Sequence, residues 1–502
     1  MSMARARSWS RLPWLLLLAA TPVLAMPPHG RSPGPPAGQA GAAPPGDPGE
    51  PIPGVSPQPT AAPAPSPTPP PKPTAPIRIG ITTWIAHAPG FVAAGGLSTV
   101  KGSLLDKAGV DVKFVVNDDP AAAKAAFGRG ELDLVTTTLD AFATEGPTWG
   151  GAPAHIILLE SYSRGADGVV VAAEIGGAED LALKKVTVID SSATRFLLNY
   201  VLDAAGLSGS QRPEVALVAD GATAKDDFRK GGVQGAVVWE PYLGEAVAER
   251  GGARRLLTTT QASGLIADVL IVRDDVLARD AERLGKLVAA WYAAANDVRV
   301  NAKAALPKIA TALALEPADV TSMMNNVALA SREDMLALGD PVGGKAGRTR
   351  FERLAAAAAR LLGRGKPPEL NLINYDLARA AKAIPVKKAK LTLPVTSRHL
   401  LRFGRSLRFT AGADVLDPTS DATLDALGEL LTFIPVARVR VEPAAAGRGS
   451  LSVLGKQRAT AIAKALADRF GVEAARILAP APRPAPVGAA APEDTVWISV
   501  EL

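Results

Sequence analysis

Between residues 77 and 240, short β-branched runs alternate with stretches of helical periodicity, and this alternation constrains the fold more than any other feature. The runs are IRIGITTW (77–84), VDVKFVV (110–116), LDLVTTT (132–138), HIILLE (155–160), VVVAA (169–173), KVTVID (185–190), VALVAD (215–220) and GAVVWE (235–240). Strands spaced by amphipathic helices predict parallel or mixed sheets covered on both faces, an α/β fold. From 281 to 383 the sequence turns nearly all helical, as in AERLGKLVAAWYAAANDV, with apolar residues at helical spacing. At 502 residues the chain exceeds the roughly 250–300 residues at which a single core stops growing, so several domains are expected.

The flanks read differently. Arg5, Arg7 and Arg11 precede the apolar run Trp14–Ala20, and Val23-Leu24-Ala25 offers a small-residue cleavage site. This predicts a cleaved signal peptide over 1–25 and a periplasmic mature protein, because the run is far short of the roughly 20 residues a membrane span needs. Residues 26–76 read as a disordered, Pro-rich tether: 27–76 hold 20 of the 43 prolines. Extended at about 3.1 Å per residue, such a tether reaches on the order of 150 Å.

The chain has no cysteine, which excludes disulfides, thiolate metal sites, a cysteine nucleophile and a lipid-bearing N-terminal Cys. Losing the three arginines of the leader lowers the formal charge from +6 to +3. Residues 385–502 alone carry 16 basic and 11 acidic groups, leaving the rest of the mature chain near −2. Without a clustered basic face, no nucleic-acid partner is expected. A boundary falls near Pro385, in IPVKKAKLTLP, and 385–502 then read as a small α+β unit. Its parts are a β-rich stretch (391–410), helices over 419–433 and 455–470, and strands over 438–442 and 495–500.

Taken in order over 77–365, several stretches resemble the solute-binding proteins of the nitrate, taurine and aliphatic-sulfonate ABC importers. They are IRIGITTW, AAFGRGELDLVTTTLDAFA, ADGVVVAAEIGGAEDLALKKVTVIDSSATRFLLNYVLDAAGL, GAVVWEPYLGEA, and ADVLIVRDDVL followed by WYAAANDVRVNAKAAL. The resemblance implies a two-lobed periplasmic-binding-protein fold (type II) over 77–384 that closes on a small molecule by hinge motion. Lobe 1 would comprise about 77–165 and 270–365, and lobe 2 about 168–268, with crossovers near 163–169 and 263–268.

Particular residues follow from helix-end chemistry. In open α/β sheets ligands sit beyond the carboxyl ends of strands, where helix N-termini present unpaired N–H groups. VTVID runs into Ser191, Ser192 and Thr194 at the head of a helix, an expected anion cradle; the same hydroxyls also suit ordinary capping. Thr137, Thr138 and Asp140 repeat this arrangement at the end of LDLVTTT. Trp84 follows the first strand and suits an apolar wall or a stacking surface. By the resemblance, Trp239 and Glu240 occupy a cleft-facing strand end, where Glu240 suits an amine or forms a salt bridge. Tyr162 and His87 are weaker candidates.

No catalytic constellation is evident, and neither an enzyme nor a cofactor is expected. His29, His87, His155 and His399 are scattered, no pair has metal-ligand spacing, and no Gly-rich loop has phosphate-binding form. An enzyme of thiamine-pyrimidine synthesis shares the superfamily but uses a cysteine-rich motif that is absent here.

Beyond about 400 the sequence resembles the OmpA-like peptidoglycan-binding module, through LRFTAGADVLDPTSDATLDALGELLTFIPVARVRVE and LGKQRATAIAKALADRFGVEAARI. Arg458 in LGKQRA matches the family's ligand-holding arginine, whereas Pro443-Ala444-Ala445-Ala446 stands where the family has Gly-His-Thr-Asp. Losing that carboxylate removes a charge-assisted contact of roughly 1.5–3 kcal/mol, so weakened wall binding is expected. The resulting expectation is a binding protein that delivers an anionic or zwitterionic solute to an importer permease, with a degenerate envelope-associated module that contacts peptidoglycan or another envelope protein. The alternative is an envelope sensor or scaffold that no longer serves transport.

Overall fold

A computed structural model describes residues 75–145, 148–341, 348–364, 370–384, 400–435, 437–443, 452–478, 480–481 and 494–501, with the backbone alone for 400–405. The expected signal peptide, the tether and the basic stretch after Pro385 lie outside the described residues. All that follows belongs to one unit, 71–502.

Among the described residues, the chain builds a mixed α/β architecture on three sheets. Strands β1 (Ile77–Ile81), β2 (Val112–Val116), β3 (Leu134–Thr138), β4 (Thr148–Trp149) and β5 (Ala152–Ser163) open the first sheet. Strands β6 (Asp167–Val171), β7 (Lys185–Ile189), β8 (Glu214–Val218), β9 (Gly235–Trp239) and β10 (Arg254–Thr258) form the second. The chain then returns to the first sheet through β11 (Ala267–Arg273) and β12 (Val327–Leu329). The third sheet comprises β13 (Leu400–Arg408), β14 (Arg438–Pro443), β15 (Ile477–Leu478) and β16 (Thr495–Glu501).

The first sheet runs β12-β5-β11-β3-β1-β2, with β4 paired to β5. β1 is parallel to β2 and β3, whereas β11 is antiparallel to β3 and β5. Strand β11, ADVLIVR, is buried at every position but its last, as expected of a central strand covered on both faces. On one flank the long helix Asp274–Val300 presents Trp291, fully buried against Phe114 with ring centroids 6.1 Å apart. Phe114 in turn meets Phe91 edge-on at 5.2 Å. Fully burying one such apolar side chain stabilises the fold by about 1.5–3 kcal/mol.

The second sheet runs β10-β6-β9-β7-β8, with β7 parallel to β8 and β9 and with β6 antiparallel to β9 and β10. The helix Ser192–Ala204 buries Phe196, Leu197 and Val201, which recur at helical spacing. The third sheet runs β13-β16-β14-β15, alongside helices Asp421–Phe433 and Val453–Phe470.

Several elements differ from the sequence reading, among them β4 and β15, which it does not contain. The helical stretch 281–383 contains β12, which pairs antiparallel with the end of β5. β5 runs from 152 to 163 rather than over 155–160, because Ser161 and Ser163, polar enough to read as loop, are buried between β11 and β12. β10 (RRLLT) went unread because Arg254 and Arg255 mask an edge strand whose remaining residues are buried.

The third-sheet unit packs on two helices. Tyr200 of the helix Ser192–Ala204 donates its hydroxyl proton to Leu430 O at 2.9 Å and meets Phe433 edge-on at 6.2 Å. From the helix Arg350–Leu361, Arg353 donates to Arg469 O at 3.0 Å and lies over the Phe470 ring. Arg360 joins Asp203 at 2.9 Å and Glu429 at 2.8 Å.

Candidate functional site: the junction of the first two sheets

The chain crosses between the first two sheets twice, at 164–166 and 259–266. Gly165 in the first crossing has φ +118°, a conformation that L side chains rarely adopt. A Cβ there would stand 2.6 Å from Thr260 Oγ1 and 2.9 Å from Asn326 Oδ1. The crossings are tied together by hydroxyls: Ser163 Oγ and Thr259 Oγ1 lie 2.7 Å apart, and Thr259 Oγ1 accepts from Gly165 N at 2.8 Å.

Each crossing delivers an aspartate to the head of an apolar strand. Asp167 opens β6 opposite Trp239, and Asp268 lies at the start of β11 opposite Thr138 on one side and Ser161 on the other. Both are buried. Asp268 Oδ2 accepts from Ser161 Oγ at 2.6 Å and from Trp84 Nε1 at 3.3 Å. Burial raises its pKa to about 6, with Glu160 adding to the shift and Ser161 opposing it. Asp167 is pushed up to about 7, first by burial and then by the charges of Asp268, Asp140 and Glu240, against a hydrogen bond from Ser163.

Asp140 is the third buried carboxylate. It sits in the first turn of the helix Leu139–Glu145 after β3, wholly inaccessible to solvent. Its Oδ2 accepts from Ser192 Oγ at 2.6 Å, a contact that joins the first-sheet body to the second. Its Oδ1 is buried without a partner. Burial raises its pKa, and hydrogen bonds from Ser192 and Thr138 oppose the rise.

Behind Trp84, His87 is buried and its Nδ1 pairs with Glu160 at 2.7 Å. Its Nε2 lies 3.3 Å from Thr82 Oγ1 and 3.4 Å from Thr136 Oγ1. Burial works against the imidazolium, yet Glu160, by charge and hydrogen bond, raises the His87 pKa above its ordinary value.

The structure brings together Trp84, Thr138, Asp140 and Ser192 of the sequence candidates, and sets Trp239 opposite Asp167. It gives others internal duties. Ser191 Oγ accepts from Thr194 N, as an N-cap does. Thr194 is fully buried and donates to Ile189 O at 2.6 Å. Glu240 accepts from Gly244 N at 2.9 Å and from Arg255 at 3.2 Å, a salt bridge within the second sheet. Thr137 lies opposite Val269, so its side chain points to the other face of the sheet from Thr138. Tyr162 is paired within the ladder opposite Ala267 and Ala328. Hydroxyls expected to cradle an anion therefore serve the helix cap, the loop and a carboxylate. In the third-sheet unit, Arg458 is buried over the Phe409 ring, donating to Ala413 O at 2.8 Å and to Asp494 at 3.0 Å.

Residues 70–314 match the NMT1-like family. Trp84, Asp140, Glu160, Asp167, Ser192 and Asp268 lie inside the matched stretch. Similar solved structures include a ligand-binding component of an ABC-type import system from Staphylococcus aureus, with 11% identity over 61% of this chain and 98% of that one, TM-score 0.49. The periplasmic aliphatic sulphonate binding protein SsuA from Escherichia coli is 20% identical over 57% of this chain and 89% of that one, TM-score 0.43. The periplasmic nitrate-binding protein NrtA from Synechocystis is 14% identical over 60% and 87%, TM-score 0.46. No curated protein sequence matches the chain.

Asp167, Asp268 and Glu160 of the NMT1-like stretch are not among the sequence candidates. A signal for two of them was present: Ala166-Asp167-Gly168-Val169-Val170-Val171 and Ala267-Asp268-Val269-Leu270-Ile271-Val272 each set one charge at the head of a run apolar enough to be buried. A charge in that position needs a partner or a task.

Proposed function

We propose that this chain is an extracytoplasmic solute-binding protein of the ABC-importer type, and that its ligand lies at the junction of the first two sheets. The observation that carries this reading is the Ser192–Asp140 contact across two sheet bodies between which the chain crosses at 164–166 and 259–266. A pair of bodies on two short connections is the architecture of hinge closure, and polar groups buried where they meet are what a captured solute would touch. The NMT1-like match over 70–314 and the sequence resemblance to sulfonate, nitrate and taurine binders support the same reading. The type II lobe division, the cleaved leader, the periplasmic address and delivery to a membrane permease belong to this proposal, as does an OmpA-like identity for the third-sheet unit.

A thermal-shift screen of the full chain against sulfonates, nitrate, phosphonates, pyrimidines, amino acids and amines tests it. Ligand at 100 times its dissociation constant should stabilise the fold by about 2.7 kcal/mol. A panel without any stabilising solute moves the weight to a sensor or scaffold. One observation favours that second reading: the third-sheet unit is fastened at once to Tyr200 on the second-sheet body and to Arg353 and Arg360 on the helix Arg350–Leu361.

A further inference from the structure

Asp268 lies opposite Thr138, two residues before Asp140, and Asp167 opens the strand that follows the first crossing, so the three carboxylates gather where the bodies meet, and the charges of the other two bear on Asp167. Among the described residues, no Lys or Arg pairs with any of the three. The nearby His87 is already balanced by Glu160. Their donors are neutral: Ser192 and Thr138 for Asp140, Ser163 for Asp167, and Ser161 and the Trp84 indole for Asp268. The junction thus holds three carboxyl groups without a cationic partner among the described residues.

A second observation, independent of charge count, concerns hydrogen bonding. Asp140 Oδ1 is fully buried and takes no hydrogen bond, although Asp140 Oδ2 is met by Ser192 from the opposite body. That carboxylate stands between the bodies with one oxygen still to be satisfied, and buried acceptors are rarely left so without a ligand or water to meet them. A metal ion is a poor occupant, since no group of three or more His, Asp or Glu among the described residues has the arrangement to hold one. Two indoles border the set, Trp84 at Asp268 and Trp239 opposite Asp167, and an aromatic face attracts an organic cation.

We propose that the solute is recognised through a cationic nitrogen, an alkylammonium group, that donates to Asp140 Oδ1 in the field of Asp167 and Asp268. This rests on the solute-binding reading and names its ligand class. A bare anion such as nitrate meets the wrong field at this junction. An amine donates to Asp140 Oδ1 and supplies the missing positive charge, and bringing a cation to these buried carboxylates draws them back to the ionised form.

Calorimetry on the full chain with matched pairs tests the assignment: taurine against isethionate, in which a hydroxyl replaces the amine, and putrescine against butanediol. The amine of at least one pair should bind, with its hydroxyl partner about 10- to 100-fold weaker or silent. Asp140→Asn should weaken amine binding by about tenfold or more, and Asp167→Asn provides a second variant if the first does not fold. Isethionate or nitrate binding as tightly as the amines overturns the cation assignment and leaves solute binding standing. A panel in which amines, sulfonates, nitrate, phosphonates, pyrimidines and amino acids are all silent overturns both.

Discussion

Ser192 Oγ, in the first turn of the helix that follows β7, donates to Asp140 Oδ2, in the first turn of the helix that follows β3, at 2.6 Å. Two strands of different sheets end in helices whose heads touch, and the touching groups are a hydroxyl and a buried carboxylate. Ser192→Ala removes one of the few donors Asp140 has, leaving a buried acceptor short of partners, and should destabilise the apo protein by about 1–3 kcal/mol in urea unfolding. Asp140→Asn keeps an acceptor for Ser192 while removing a carboxyl whose ionised form burial disfavours, so its apo stability should equal or exceed wild type. The opposite order would contradict the account of this contact.

Asp167 and Asp268 make stability depend on pH. Their folded pKa values, about 7 and about 6, lie above the ordinary 3.8, so the folded state holds protons that the unfolded chain has released. Stability should therefore fall as pH rises from about 4 to about 7 and level off above that. His87, raised by Glu160, adds to the fall, since its contribution is full below its ordinary 6.5 and fades as pH climbs through its folded value. Asp167→Asn should flatten the upper part of the profile by about 2–4 kcal/mol between pH 5 and 8 in equilibrium unfolding. An unchanged slope would show that Asp167 is not the titrating group.

The His87–Glu160 pair is buried on both sides, so halving it is costly. Glu160→Leu should cost about 3–5 kcal/mol by leaving His87 without its counterion. The double variant Glu160→Leu with His87→Phe should recover part of that loss, because two apolar groups then replace a pair that paid a desolvation penalty. Thermal melts of the three chains decide this.

Tyr200 links the second-sheet body to the third-sheet unit. Tyr200→Phe should cost about 1 kcal/mol through the lost bond to Leu430 O, and Tyr200→Ala about 3–5 kcal/mol through the vacated contact with Phe433. Limited proteolysis of Tyr200→Ala should release the unit built on β13–β16 earlier than in wild type. Equal release would mean that Arg353 and Arg360 alone hold the dock.

Much of the fold was legible because its strands are apolar and separated by helices of matching period. IRIGI, KVTVI and GAVVW are strands over the very residues whose β-branched character marked them. What escaped was set by partners distant in the chain. Val327–Leu329 is a strand because β5 extends far enough to receive it, and no local propensity records that. At the site, the loops were legible, since Ser191 to Thr194 and Thr138 to Asp140 do head helices. Their chemistry was not. A hydroxyl at a helix head suits an anion, a cap or a carboxylate equally well, and only the meeting of Ser192 with Asp140, 52 positions apart, decides among them.

The central claim is that a solute binds between the first two sheets. Hydrogen–deuterium exchange of the full chain, with and without any solute that raises its melting temperature, tests this most directly. Slowed exchange is expected in both bodies together: at the end of β3 and its helix, at the Ser191–Thr194 turn, and at the crossings that lead into Asp167 and Asp268. Protection confined to one body or to the unit built on β13–β16 would contradict it.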